Sequence, residues 1–151
     1  MQQDFDGRTI QERIKNRLQW INCTAGDTVG GALTMELISY DCEKGKYRFE
    51  AHTERWMRNV IGTLHGGINA VMVDQAMGCV ANCLFEDKTH APTSQLQLYF
   101  HRPMLAGEDF LITVQLINVS RTMIHTSAEV FAKNVPDKLC SSATAVFFRG
   151  N

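Results

Sequence analysis

The stretch Gly62-Thr63-Leu64-His65-Gly66-Gly67-Ile68-Asn69-Ala70-Val71-Met72-Val73-Asp74 decides how this chain is read. It predicts a helix that starts after a histidine and at two glycines, and runs to about Leu84. Between Gly66 and Phe85 the only carboxylate is Asp74, and no Lys or Arg falls in that window. Ile68, Ala70, Val71, Met72, Val73, Ala76, Met77, Val80, Ala81 and Leu84 put apolar groups on almost every side, so the helix is expected to be buried nearly all round. An unpaired carboxylate in such a place costs several kcal/mol or shifts its pKa. Asp74 is therefore expected to be a functional acid with a raised pKa, suited to general-base work near neutrality.

Working outward, residues 9–20 carry Ile10, Ile14 and Leu18 at four-residue spacing with Arg and Lys between them, which predicts an amphipathic helix. Gly26 to Gly31 break that pattern. Residues 33–42 and 46–53 read as two strands joined by Glu43-Lys44-Gly45, a hairpin. A loop over 54–63, with Trp56, Met57 and Asn59, leads into the central helix, which Glu86-Asp87-Lys88 ends. Four strands are expected after it, over 93–100, 110–119, 122–133 and 139–148. Asn134-Val135-Pro136-Asp137-Lys138 is the expected last turn. One short helix, two strands, one long apolar helix and four strands are most simply arranged as a single antiparallel sheet curling round that helix. The fold class is α+β, in one domain over residues 1–151.

The bulk composition excludes several classes. The 151 residues carry 15 basic and 16 acidic side chains, a net charge of −1. That balance offers no electrostatic case for nucleic acid or an anionic membrane as partner. No apolar run is long enough to cross a bilayer, and the first residues have no signal-peptide pattern. Five cysteines without a CxxC fit a reducing, cytoplasmic setting. Cys79 and Cys83 stand four apart on the helix, but no second ligand pair at metal spacing accompanies them, so two small core residues are expected and no metal or cofactor.

The start of a helix presents free N–H groups and the positive end of its dipole. Gly66 and Gly67 leave that end bare, so a substrate carbonyl can approach the amides as in an oxyanion hole; tight helix–sheet packing is the other use for such glycines. Asp74 lies eight residues on, about 12 Å along the axis and roughly 80° around it. One helix cannot bring both groups to one carbonyl. If they serve the same reaction, Asp74 must meet Gly66 of a second subunit, which makes two equivalent sites across a two-fold axis.

Asn59-x-x-Gly62-x-x-His65-Gly66-Gly67 with Asp74 nine residues after the histidine resembles the signature of the hotdog-fold thioesterases. The match is to the branch containing the phenylacetic-acid-pathway thioesterases and thioesterase superfamily member 2. Pro103 and Gly107-Glu108 stand where that family often has a Pro and a Gly-Asp/Glu. The resemblance implies a hotdog fold and hydrolysis of acyl-CoA or aryl-CoA thioesters without metal or cofactor. It implies that Asp74 acts as nucleophile or general base, that Gly66 N–H polarises the carbonyl, and that Gly67 helps bind substrate. Asn59 would position the carbonyl or the thiol side, and His65 would orient the loop or assist the leaving thiolate. Thr93, or Ser94 if the register slips by one, would orient the water. The partners implied are an acyl-CoA and a second copy of the chain, as homodimer or homotetramer. Lys88, Arg102, Arg121 and Lys133 are candidates by type for the CoA phosphates. His52, His90, His101 and His125 have spacings that argue only for strand or surface positions.

Two other readings stand beside this one. A hotdog dehydratase or hydratase would carry its histidine and acid in different local motifs, which are not found. A non-catalytic acyl-CoA-binding module would keep the pocket and lack turnover.

Overall fold

The computed structural model describes residues 7–85 and 90–150, apart from the side chains of residues 7–9. Helix α1 spans Gly7–Thr24 and a short α2 spans Val29–Ala32. Strands β1 (Thr34–Asp41) and β2 (Lys46–His52) precede the long helix α3 (Gly66–Cys83). Strands β3 (Thr93–Phe100), β4 (Asp109–Val119), β5 (Met123–Ala132) and β6 (Val135–Phe148) complete the chain. All six strands form one antiparallel sheet in the order β1-β2-β4-β5-β6-β3. The expected α+β hotdog architecture is therefore the one observed.

Alternation sets which face of the sheet carries the core. Phe49 on β2, Phe110 and Ile112 on β4, Ile124 on β5 and Phe147 on β6 are fully buried. They pack under Met72, Val73, Ala76, Met77 and Val80 of α3 in one continuous core. On the far side of α3 lies α1, which buries Ile10, Ile14 and Leu18 at the four-residue spacing read from the sequence. Two polar contacts fix α1. Arg13 donates from Nε to the Cys83 carbonyl at 2.8 Å and from a terminal nitrogen to the Leu84 carbonyl at 3.3 Å. These carbonyls stand at the end of α3, where the last carbonyls of a helix take partners from outside it. Asn22 exchanges two hydrogen bonds with the Met35 backbone, which ties α1 to β1. The β1–β2 hairpin turns at Gly45, whose φ of +63° only glycine adopts without strain.

Several expectations need correction. The one-turn helix α2 begins within the Gly26–Gly31 break, where the Thr28 hydroxyl caps it by accepting from Gly31 N–H at 3.0 Å. Arg55–Met57 in the approach to α3 forms a single 3-10 turn instead of open loop. The expected turn over 134–138 shrinks to Lys133-Asn134, and Val135–Lys138 belong to β6. There Ala132 pairs with Val135 and Phe131 with Leu139, so Pro136-Asp137-Lys138 bulge out of register. Proline lacks an N–H for the ladder, and a bulge accommodates it. Glu86-Asp87-Lys88, expected to end the central helix, lies outside the described residues.

The largest correction concerns α3 itself. It is not buried all round. Val71, Asp74, Gly78 and Asn82, spaced three or four apart, form a half-open stripe, with Gln75 beside it. The sheet and α1 cover the remaining sides. Cys79 and Cys83 point into the core, as expected. Among the described residues no helix is long and apolar enough to cross a membrane.

Candidate active site

The start of α3 is held by its own cap. His65 adopts extended backbone, and its Nδ1 accepts from Gly67 N–H at 2.9 Å. The His65 carbonyl accepts from Ile68 N–H at 2.9 Å and from Asn69 N–H at 3.2 Å. Three of the four leading amides are thus engaged. Among the described residues Gly66 N–H alone at this helix start has no partner. A side chain at Gly66 would place its Cβ 3.2 Å from Cζ of Phe100, so glycine keeps this approach clear. Gly66 lines a cleft of about 400 Å³ with Asn59, Asn69, Phe100, Arg102 and Met104.

The second group lies elsewhere. Asp74 opens onto a separate cleft of about 470 Å³, between α3 on one side and α1 and α2 on the other. Its carboxylate is neither deeply buried nor unpaired, contrary to the expectation. Thr93 Oγ1 donates to Asp74 Oδ1 at 2.7 Å. Of Thr93 and Ser94, Thr93 is the one bonded to the acid. Thr93 pairs with Phe147 and Gln95 with Val146, so Ser94 is the extra residue of a bulge and Thr93 faces the acid. Asn82 supports the segment leading to Thr93. Its amide donates to the Ala91 carbonyl at 3.1 Å and its oxygen accepts from Ala91 N–H at 2.8 Å. Gly66 and Asp74 therefore belong to different clefts of one chain.

This architecture can be compared with known proteins. A model of the thioesterase superfamily matches residues 61–137, just over half of the chain. The chain belongs to the thioesterase superfamily. Among curated relatives of this thioesterase-superfamily chain, human acyl-coenzyme A thioesterase 13 is 30% identical over 89 residues, 59% of this chain. The matched part of the chain spans 63% of that relative's length. Zebrafish thioesterase superfamily member 2 superposes with a TM-score of 0.75 at 24% identity, covering 93% of this chain and 98% of that one. The Escherichia coli PaaI protein of the phenylacetic acid degradation operon gives 0.73 at 18%, covering 95% and 96%. At these identities the two structures show the shared fold. They come from the branch that the sequence signature resembles.

The other residues singled out in the thioesterase-superfamily chain sit as follows. Asn59 organises the loop before the helix. Its Oδ1 accepts from Ile61 N–H and Thr63 N–H, both at 3.1 Å, and its Nδ2 donates to Thr63 Oγ1 at 2.8 Å. It borders the Gly66 cleft. Arg102 spends a guanidinium N–H on the Leu139 carbonyl at 2.8 Å. Lys133 is held by Glu50 at 2.6 Å on the outer face of the sheet, beside the pair His52–Asp109 at 2.9 Å. Lys88 lies outside the described residues. Three features escaped the sequence reading. Arg55 and Arg58 border a cleft that shares Asn59 and Ile61 with the Gly66 cleft. Their signal was two arginines in the approach to the helix start. Buried Asn69 receives a hydrogen bond from Ser141 Oγ at 3.2 Å and donates to Met104 Sδ at 3.3 Å, which locks the first turn of α3 to β6 and to the segment after β3. Arg17 lines the Asp74 cleft.

Proposed function

We propose that the protein hydrolyses acyl-CoA thioesters to free acid and CoA, in a homodimer whose two sites each combine Asp74 of one subunit with Gly66 of the other. Family membership supports the reaction class. The observation that carries the two-subunit reading is the layout of β3. This strand lies at the sheet edge. Its first residue, Thr93, is hydrogen-bonded to Asp74, and its last, Phe100, stands beside Gly66. Tyr99 and Phe100 are exposed. An exposed edge strand invites a second strand. Antiparallel pairing of β3 with its own copy opposes Thr93 of one chain to Phe100 of the partner subunit. It thereby carries Asp74 towards Gly66 of the partner subunit.

In that site the free Gly66 N–H donates to the thioester oxygen, at the positive end of the α3 dipole. A water held by Thr93 and Asp74 loses a proton to the Asp74 carboxylate and attacks the carbonyl carbon. The tetrahedral intermediate collapses with loss of the C–S bond, and the CoA sulfur leaves and takes up a proton. Water is consumed, and one carboxylic acid and one thiol are formed. Asn59 and His65 hold the loop and the first turn that aim Gly66 N–H. Arg55 and Arg58 supply positive charge near the mouth of the Gly66 cleft, where the phosphates of CoA can be neutralised. No cofactor takes part.

The experiment is free-thiol release from a panel of acyl- and aryl-CoA thioesters. Turnover that disappears in Asp74→Asn supports the mechanism. Unchanged turnover in that variant overturns it, and binding without turnover on every thioester would make the chain a binding module.

A further inference from the structure

The cleft beside Asp74 contains a charge that the fold does not need. Arg13 and Arg17 stand one turn apart on α1. Arg13 is spent on the carbonyls that end α3. Among the described residues no carboxylate or carbonyl pairs with Arg17, which shares the cleft wall with Cys79. It is half-buried in the wall of a cleft of about 470 Å³ whose other walls include Ile21, Val29, Val71 and Phe147. The Asp74 carboxylate opens onto the same cleft, but among the described residues no anion stands within ion-pair distance of the Arg17 guanidinium, so its lost hydration is not fully repaid. A bound anion would repay it, and the planar fork of a guanidinium matches a carboxylate.

Resting on the thioesterase reading, we infer that this cleft receives acyl chains that end in a carboxylate, and that Arg17 binds that carboxylate. The substrate class is a short dicarboxylic acid carried as its CoA monothioester. Length follows from the helix. Gly78, which lines the cleft with Arg17, lies four residues beyond Asp74, about 6 Å along the axis and about 40° around it. A few methylenes span that distance, and Val71 and Ile21 offer them apolar contact. A long alkyl chain would instead bring its apolar end to Arg17 and leave the guanidinium unpaired.

The test compares glutaryl-CoA with valeryl-CoA, which have the same number of carbons and differ by the terminal carboxylate. Free-thiol release is measured for the wild type, Arg17→Met and Arg17→Lys. The wild type is expected to favour glutaryl-CoA in kcat/KM by about tenfold or more, the size of a charged hydrogen-bonded pair. Arg17→Met brings that ratio to about one, and Arg17→Lys restores part of it. A ratio does not depend on how much of a preparation is folded. A wild-type ratio of one or less, or a ratio that Arg17→Met leaves unmoved, overturns the assignment. If neither thioester is hydrolysed, it is the hydrolase reading that fails, and calorimetric binding of the same two thioesters then decides the cleft. Tighter binding of glutaryl-CoA that Arg17→Met abolishes supports the assignment, and equal binding overturns it.

Discussion

The Thr93 hydroxyl donates to Asp74 Oδ1 at 2.7 Å, from the first residue of an edge strand to the middle of the central helix. The last residue of that strand, Phe100, stands where a Cβ on Gly66 would touch it at 3.2 Å. One strand thus marks both ends of the Gly66–Asp74 stretch of α3, and the two ends open on different clefts.

Removing the base is expected to be the severest change. Asp74→Asn keeps the shape and the contact with Thr93 but cannot take a proton. Its kcat should fall by about 10²–10⁴-fold, the range for general-base catalysis, with little change in KM. Thr93→Val should fall less, because the carboxylate remains and only the orientation of the water is lost. Steady-state kinetics on one thioester separates the two.

Crowding the free amide should also cost turnover. Gly66→Ala places a methyl 3.2 Å from Phe100 and beside the free N–H. A drop in kcat of about tenfold or more is expected, since losing one oxyanion donor outright costs about 10²–10³-fold. Circular dichroism should show an unchanged fold.

His65 is expected to act through the cap. His65→Ala leaves Gly67 N–H without its acceptor at 2.9 Å. Loss of such a cap costs about 1 kcal/mol, which for a chain of this size lowers Tm by about 2–4 °C. His65→Asn, which can cap, should restore most of the Tm.

Arg55 and Arg58 are expected to govern affinity for the CoA portion. Reversing both charges should raise KM for acyl-CoA several-fold and leave kcat within about twofold, because the reacting carbonyl is held elsewhere. The KM of a truncated thioester without phosphates should not move.

The thiols give a dependence on pH. Burial, followed by the neighbouring Cys83, pushes the Cys79 thiol up to about 12 from an ordinary 9.0. The folded protein favours the neutral thiol, so this contribution to stability is complete below about pH 9. It is lost as pH rises from 9 towards 12, where the unfolded chain ionises first. Urea melts between pH 8 and 11 should show a falling midpoint that Cys79→Ala flattens. At pH 8 a thiol reagent should modify exposed Cys23 in the folded protein and reach Cys79 only after unfolding.

Much of the fold was legible in the sequence. The strand over Thr93–Phe100 has the bounds its alternation predicts, and α3 begins where His65 and the glycines place it. Pro136 misled because a turn is its commoner place, and only the pairing partner reveals a bulge. The exposure of Asp74 was misread for a related reason. A helix rich in apolar side chains was assumed to be covered on every side. The small and polar residues Gly78 and Asn82, in step with Asp74, were a readable sign of an open stripe. The separation of Gly66 from Asp74 was legible, since it needs only the helical rise. Arg17 was not, because its meaning depends on which arginine of α1 reaches the end of α3.

Subunit complementation tests whether each site draws Asp74 and Gly66 from different subunits. Asp74→Asn and Gly66→Val chains, each inactive alone, are co-refolded and assayed for thiol release. A mixed dimer then holds one site with both residues intact, and random pairing should restore about a quarter of wild-type activity. A mixture as inactive as either parent, with mixed dimers demonstrated by tag pull-down, would mean that the two residues do not meet across the subunit interface.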